Sequence, residues 1–281
     1  MPELPDLVYI QKHLADRLTG ATVTGCEIRQ PVIIRSSVDQ PPAVLFRGRT
    51  VTSVGIRGPF IILRLSPPLE LVINLMLAGR LQLQHARDRP AGYLCVALAF
   101  ADGSRLNLCD EKKMAKLYIV VPGNYAHIPK FDQQGVDILS SDFTPARFRE
   151  LARANRRKQV RVFINDHRLL SAIGNAYADE ILFEARIHPK TFVSSLDPAH
   201  VDRLYNAIRS VIAWGIAEVQ NAGQPIDVKV RGHMKIRNRK GEPCPRCGTT
   251  IRREGVRGHD VFFCPTCQPA SRRLFIDWRT A

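Results

Sequence analysis

Gly241-Glu-Pro-Cys-Pro-Arg-Cys-Gly248, followed by Phe263-Cys-Pro-Thr-Cys-Gln268, is the stretch on which the reading of this chain turns. It contains two Cys-x-x-Cys pairs, Cys244/Cys247 and Cys264/Cys267, separated by 16 residues. Each pair can wrap one side of a tetrahedral ion, and the residues between can form a hairpin. Four thiolates suit one structural Zn2+ and leave no open position for catalysis. Such an ion lets a segment too small for its own core fold as a rigid unit. Lys235, Arg237, Arg239, Lys240, Arg246, Arg252, Arg253 and Arg257 surround the cysteines. The expected object is a basic hairpin suited to nucleic acid, although zinc ribbons also dock proteins.

The rest of the chain agrees with a polyanionic partner. Lys and Arg number 41 against 26 Asp and Glu, a formal net charge of +15 over 281 residues. Neutralised phosphates release counterions, so such an excess favours nucleic acid. Length suggests about two domains, each able to bury a core. No apolar run approaches the ~20 residues of a spanning helix. The acidic start MPELPD is unlike a signal peptide. These features give the expectation of a cytoplasmic, nucleoid-associated protein with no membrane partner. Reduced thiols are expected there, so the cysteines are read as ligands or core residues before disulfides. Cys26, Cys95 and Cys109 lie in strand-like runs and read as ordinary core or edge residues.

Upstream of the cysteines the texture is helical. Ser171-Ala-Ile-Gly-Asn-Ala-Tyr-Ala-Asp-Glu-Ile-Leu-Phe183 holds a Gly-Asn breaker before a strong helix former. A turn ending at Asn175 would cap that helix and aim free N–H groups at an anion such as a phosphate. It could equally be no more than a well-capped helix. Helices are expected over 145–154, with Thr144-Pro145 as its start, and over 159–166, 169–184 and 198–221. Between residues 22 and 121 short Val/Ile/Leu runs recur at 51–56, 61–65, 94–100 and 117–121, with Gly and Pro between them. That pattern predicts an antiparallel sandwich or barrel. Leu7, Val8, Ile10, Leu14 and Leu18 predict an opening amphipathic helix over 5–18. The expected fold is therefore α+β and multidomain. Residues 1–134 form an N-terminal β-sandwich with an opening α-helix, 135–232 a helical domain, and 233–281 a zinc-finger β-hairpin.

Taken in order, these landmarks resemble the formamidopyrimidine-DNA glycosylase/endonuclease VIII family. Met1-Pro2-Glu3-Leu4-Pro5 is similar to its amino terminus, residues 173–183 to its helix-two-turn-helix motif, and the cysteine tail to its zinc finger. Gly135-Val-Asp-Ile-Leu139 is similar to its linker. The landmarks span residues 2 to 268. The resemblance implies a DNA-repair glycosylase, a monomer acting on damaged double-stranded DNA, with abasic-site lyase activity by β-elimination. Removal of Met1 would free the secondary amine of Pro2. An α-amine, with a pKa near ~8, is far more often neutral than a lysine at ~10.4. It would attack the sugar C1′, and Glu3 would shuttle protons. Asn175 would hold a phosphate beside a nucleotide rotated out of the stack.

The departures from the family pattern are specific. Asp6 stands where a longer acid is usual. Arg57-Gly58-Pro59-Phe60 puts Pro59 where a lysine is expected. Asn74-Leu-Met-Leu-Ala-Gly79 places Leu77 at the family's void-filling methionine. Asp110-Glu-Lys-Lys-Met-Ala115 places Lys112 at its intercalating arginine and Met114 at its phenylalanine. Methionine can wedge between bases, but the arginine's hydrogen bonds would weaken. His259 occupies the finger's arginine position, with Arg257 two residues away. Residues 220–229 are the candidate loop for reading the base. The expectation is an active glycosylase with substrate preference moved away from 8-oxoguanine. The alternatives are an enzyme that retains lyase chemistry but excises bases poorly, and a lesion- or abasic-DNA-binding protein without catalysis. A zinc-ribbon transcription or RNA-binding factor would explain the charge and the metal, but not the Pro-Glu start.

Overall fold

A computed structural model of the chain describes residues 1–90 and 92–270. It divides into two compact units, Met1–Gln133 with Val219–Val230, and Gln134–Glu218 with the residues from Arg231 onward. The end of the expected zinc-finger segment, 271–281, lies outside the described residues.

The first unit opens with helix α1, Leu4–Leu18, whose Leu4, Leu7, Ile10, Leu14 and Leu18 are buried. Spacing by three and four residues makes one apolar stripe, and α1 packs it against the strand Thr50–Arg57. Nine strands follow: β1 Val23–Ile28, β2 Ile34–Ser36, β3 Thr50–Arg57, β4 Phe60–Ser66, β5 Leu69–Asn74, β6 Arg80–His85, β7 Leu94–Phe100, β8 Ser104–Cys109 and β9 Lys116–Val120. They build a five-stranded sheet in the order β2-β9-β5-β4-β3 and a four-stranded sheet in the order β1-β7-β8-β6. Among the described residues of these two sheets, the short β2–β9 pair alone is parallel.

The expected run at 94–100 coincides with β7, and the runs at 51–56, 61–65 and 117–121 fall on β3, β4 and β9 to within one residue at each end. Strands β4 and β5 are apolar on both faces because both faces are covered. Ile62, Val72 and Tyr118 lie in one cross-strand row. With Phe60 and Val120 they pack against Ile128 and Phe131. Ile61, Leu63, Leu71 and Ile73 are equally buried on the opposite side. A strand buried on two sides shows a continuous apolar run instead of alternation. Cys95 and Cys109 are core residues and Cys26 is half-buried, as expected for cysteines with a packing role. A short helix, α2 Pro42–Phe46, escaped the sequence reading because two prolines obscure its start.

The second unit holds α3 Pro145–Ala154, α4 Val160–Ile164, α5 Asn175–Glu184, most of α6 Pro198–Asn221, and the hairpin β10 Arg252–Val256 with β11 His259–Phe263. Helices α3 and α6 match their expected bounds, and Thr144 caps α3 by accepting from the Arg147 amide. Two expectations are corrected. Helix 159–166 is only the single turn of α4. The helix expected from 169 begins at Asn175, because Ala172 lies in the left-handed region (φ 62°) and Gly174 is extended. The buried Leu170 and Ile173 mimic helical periodicity while belonging to a turn. Gly174 is consequently the cap residue, and Asn175 is the first residue of the helix rather than its cap. Helix α5 is buried nearly all round, from Ala176 to Phe183, and is the centre of this unit.

No helix among the described residues is long and apolar enough to cross a membrane.

Candidate functional site

In the first unit the chain's leading residue reaches the turn that follows β5. Pro2 and Glu3 are buried. Glu3 precedes α1 in a reciprocal capping arrangement. Its carboxylate accepts from the Asp6 amide, and Asp6 Oδ2 accepts from the Glu3 N–H at 2.8 Å. Asp6, the shorter acid, is thus tied to fixing Glu3 in place.

The Met1 amine donates to the Leu77 carbonyl at 3.4 Å, and Lys229 Nζ donates to the same oxygen at 3.5 Å. Burial, and after it the Lys229 ammonium, lower this amine from 8.0 to about 6, against the raising influence of Glu3 and Asp6. A neutral amine with a free lone pair is a nucleophile at neutral pH. The sequence singled out Pro2 and Glu3 but gave no role to Lys229 by itself. No local pattern links two residues so far apart in the chain.

Leu77 sits exposed at the tip of the β5–β6 turn. Asn74 Oδ1 accepts from the Met76 amide and holds Met76 at φ 50°. The neighbouring loop carries Lys112, exposed, and Met114, half-buried. Buried Asp110 organises that loop by accepting from the amides of Lys112, Met114 and Ala115 at 2.7–2.9 Å. Gly79 packs the two turns together. A Cβ there would lie 2.5 Å from the Leu75 carbonyl oxygen and 2.9 Å from Ala115 Cβ. Gly79→Ala is therefore expected to destabilise the protein by about 1–3 kcal/mol, the usual cost of overpacking. An unchanged denaturation midpoint would show that the two turns are not tightly coupled.

The β3–β4 turn is Gly58-Pro59, closed by the Arg57–Phe60 pair. Pro59 brings no amine, and Arg57 lies over the Phe131 ring at 4.7 Å and against Asp132 at 3.4 Å.

In the second unit Asn175 is oriented through its side chain. Its Oδ1 accepts from Arg161 Nη2 at 3.1 Å and from Asn165 Nδ2 at 2.9 Å. That aims the Asn175 amide nitrogen away from these donors. Arg161 is itself buried against Asp179 Oδ1 at 3.1 Å, and Arg237 reaches Asp179 Oδ2 at 2.7 Å. Burial pushes the Asp179 carboxyl up to about 6 despite these two cations. Next to it, Glu180 accepts from the amides of Lys235, Ile236 and Arg237 at 2.9–3.0 Å. Helix α5 thus anchors the segment leading into the cysteine hairpin. The sequence gave Asp179 and Glu180 no role, because acids in a helical run usually face solvent.

The four cysteine sulfurs lie within 4.8 Å of one another. Individual separations are 3.9 Å for Cys244–Cys267, 3.5 Å for Cys247–Cys264 and 3.4 Å for Cys247–Cys267. A tetrahedron with Zn–S near 2.3 Å requires sulfurs about 3.8 Å apart, so the set fits zinc. The amides of Arg246 and Cys267 donate to Cys244 and Cys264 Sγ, both at 3.4 Å. Arg257 and Gly258, both at positive φ (47° and 79°), make the two-residue turn between β10 and β11. Arg257 is exposed at the tip, and His259, also exposed, starts β11.

The basic character of the hairpin is smaller than composition implied. Arg237, Arg239, Arg246 and Arg253 are paired with Asp179, Glu242, Glu184 and Asp260. Arg246 also lies over the Phe183 ring at 4.3 Å, so it docks the hairpin to α5. Lys240, Arg252 and Arg257 are exposed and remain to meet an anion. Pro2, Glu3, Leu77, Lys112 and Met114 therefore belong to the first unit, and Asn175, Arg257, His259 and the cysteines to the second.

Three family descriptions match the chain. They are the formamidopyrimidine-DNA glycosylase N-terminal domain over residues 1–117, the formamidopyrimidine-DNA glycosylase H2TH domain over 134–224, and a zinc finger found in FPG and IleRS over 241–270. Formamidopyrimidine-DNA glycosylase of Chloroflexus aurantiacus is 33% identical over 275 residues, covering 95% of this chain and 98% of its own. The MutM (Fpg) protein of Thermus thermophilus, a solved structure, is 30% identical with a TM-score of 0.82, covering 96% of this chain and all of its own. The Lactococcus lactis Fpg solved with abasic-site DNA shares the fold at a TM-score of 0.86 and 22% identity, over 96% and 100% of the two chains. The cysteine cluster, matched as a zinc finger, is the seat of one structural zinc ion.

Proposed function

The chain belongs to the formamidopyrimidine-DNA glycosylase family, and from that premise we propose that it excises damaged bases from DNA through its leading proline amine and then cleaves the strand. The observation that carries this reading is the leading segment itself: Pro2 is buried, and next to it the Glu3 carboxylate is fixed by the reciprocal bonds with Asp6.

The chemistry balances on these groups. The Pro2 lone pair forms a bond to C1′ as the C1′–base bond breaks, and the departing base takes up a proton. The Pro2 nitrogen gives up its N–H proton, which balances the one taken by the base, and Glu3 delivers a proton to the ring oxygen as the sugar opens, which leaves an iminium ion between Pro2 and C1′. Loss of a proton from C2′ then expels the 3′ phosphate, and water hydrolyses the iminium to return the amine. The nucleotide must first leave the stack. Leu77 and Met114 are apolar side chains placed on adjacent turns to fill the gap it leaves. Lys112 offers an ammonium in place of a planar fork, which supports a substrate preference moved away from 8-oxoguanine. Asn175, Arg257 and His259 are assigned to the DNA phosphates, with 1–134 carrying the reaction, 135–232 the helical DNA contact and 233–281 the finger. The partner is damaged double-stranded DNA, engaged by a monomer in the cytoplasm and nucleoid.

Borohydride in the presence of abasic duplex DNA tests the reading, using protein whose N-terminus is checked by mass. A covalent adduct that disappears when the Pro2 amine is acetylated is the expected result. Tight binding with a free Pro2 and no adduct would instead establish a lesion-binding protein or an enzyme without the lyase step.

A further inference from the structure

Arg237, Asp179, Arg161 and Asn175 form one hydrogen-bonded chain through the second unit, from strand β11 of the hairpin to the start of α5. On the hairpin side, Arg237 Nη1 donates to the Asp260 carbonyl at 2.9 Å and to Asp179 Oδ2 at 2.7 Å. Its guanidinium lies 5.0 Å over the Phe262 ring, and the Phe262 amide donates to the same Oδ2 at 3.4 Å. On the helical side, Arg161 divides its fork. Nε donates to Asp179 Oδ1 at 3.1 Å, while Nη2 donates to the Asn175 carbonyl and to Asn175 Oδ1, both at 3.1 Å. Asp179 is fully buried and Arg161 nearly so, which leaves water no part in holding either. The carboxylate of Asp179 is thus seated by the hairpin through one oxygen and aims Arg161 through the other.

Desolvation offsets most of what the attractions in a buried ion triad return, so such a group is weak as a source of stability. Its consequence here is geometric. A guanidinium is a rigid plane, and fixing Nε fixes the direction of Nη2. We propose that Asp179 is a positioning residue for the phosphate contact: through Arg161 it holds the Asn175 side chain in an orientation that lasts only while the hairpin, through Arg237 and the Phe262 amide, is seated on the same carboxylate. This rests on the reading of Asn175 as the residue that holds a DNA phosphate. The hairpin then serves binding twice, by its own exposed cations and by setting Asn175 from inside the unit. Burial already pushes the Asp179 carboxyl up to about 6 against both arginines. Loss of Arg237 raises it further, and a neutral carboxyl no longer holds Arg161 Nε by charge.

The test compares wild type, Arg237→Met and Arg237→Lys, with zinc content and melting temperature checked for each. In the free protein, the nitrogen–proton NMR signal of the Asn175 side-chain amide is assigned by its loss in Asn175→Ala. That signal is expected to move in Arg237→Met and to keep its wild-type position in Arg237→Lys, which retains the cation. Affinity is read with a duplex carrying a non-cleavable abasic analogue. Arg237→Met is expected to weaken it by roughly 5–10-fold on the wild-type background and by less than about twofold on the Asn175→Ala background, since members of one network are not additive. An unmoved Asn175 signal in Arg237→Met would overturn the proposal. So would equal losses on the two backgrounds, which would make Arg237 an independent DNA contact. Removing zinc from the wild type with a chelator gives the same comparison without a substitution. The Asn175 signal is expected to move there too, and a signal that stayed in place would count equally against the proposal. Unchanged affinity in Asn175→Ala would overturn the phosphate reading itself, which is a different result from two weakening substitutions whose effects simply add.

Discussion

Cys244→Ser is expected to release the zinc ion, from one per chain to none by elemental analysis, and to weaken duplex-DNA binding by roughly 10–100-fold, the equivalent of one or two good contacts. Structural zinc contributes about 10–16 kcal/mol of apparent folding free energy in isolated fingers at pH 7, far more than a short hairpin can supply alone. Cys244 is also packed in the cluster of Phe183, Ile236, Ile251, Phe262 and Cys264. Losing the ion therefore loosens the core that Arg246 and Gln268 tie to the helical unit, Gln268 by accepting from the Cys264 amide and donating to the Ile187 carbonyl. The first unit has its own two sheets and core, so amide protection in β4 and β5 is expected to stay at its wild-type level. Zinc retained at one per chain in Cys244→Ser would remove this assignment.

Glu3→Gln is expected to lower single-turnover base excision by about 10²–10⁴-fold, the usual loss on removing a positioned acid–base group. The substitution is conservative for the fold. Glutamine keeps an oxygen to accept from the Asp6 amide, and Asp6 continues to accept from the residue-3 N–H. Affinity for a non-cleavable abasic analogue is therefore expected to stay within about threefold. Excision that falls only in step with binding would mean that Glu3 caps α1 and does nothing more. A fall in excision with binding intact assigns it the proton transfers at the sugar ring oxygen.

Local rules carried a definite part of this protein. The four cysteines announce their site because two residues between paired ligands is a covalent spacing, independent of the rest of the fold. The apolar stripe of α1, the Thr144-Pro145 start of α3 and the length of α6 were legible for the same reason, since each depends on neighbours within one or two helical turns. The Pro-Glu start became informative only beside the other landmarks, whose order along the chain is itself a sequence property. What misled was also local. Leu169-Leu170 and Ile173 keep helical spacing through a turn that Ala172 breaks with its backbone, and eight basic residues around the cysteines do not reveal which of them are paired.

Tertiary structure alone decided the rest. It showed that Asp179 and Glu180 point inward to hold Arg161, Arg237 and the amides of 235–237, that four arginines of the hairpin are committed within the chain, and that Asn175 is oriented by Arg161 and Asn165. It also placed Lys229 and the leading amine on one carbonyl oxygen. Periodicity records which face of an element is apolar and nothing about what lies across from it. Hydrogen bonds and charge interactions act through space over a few ångströms and are indifferent to sequence separation, so the amine's environment exists only once residues 219–230 have joined the first unit.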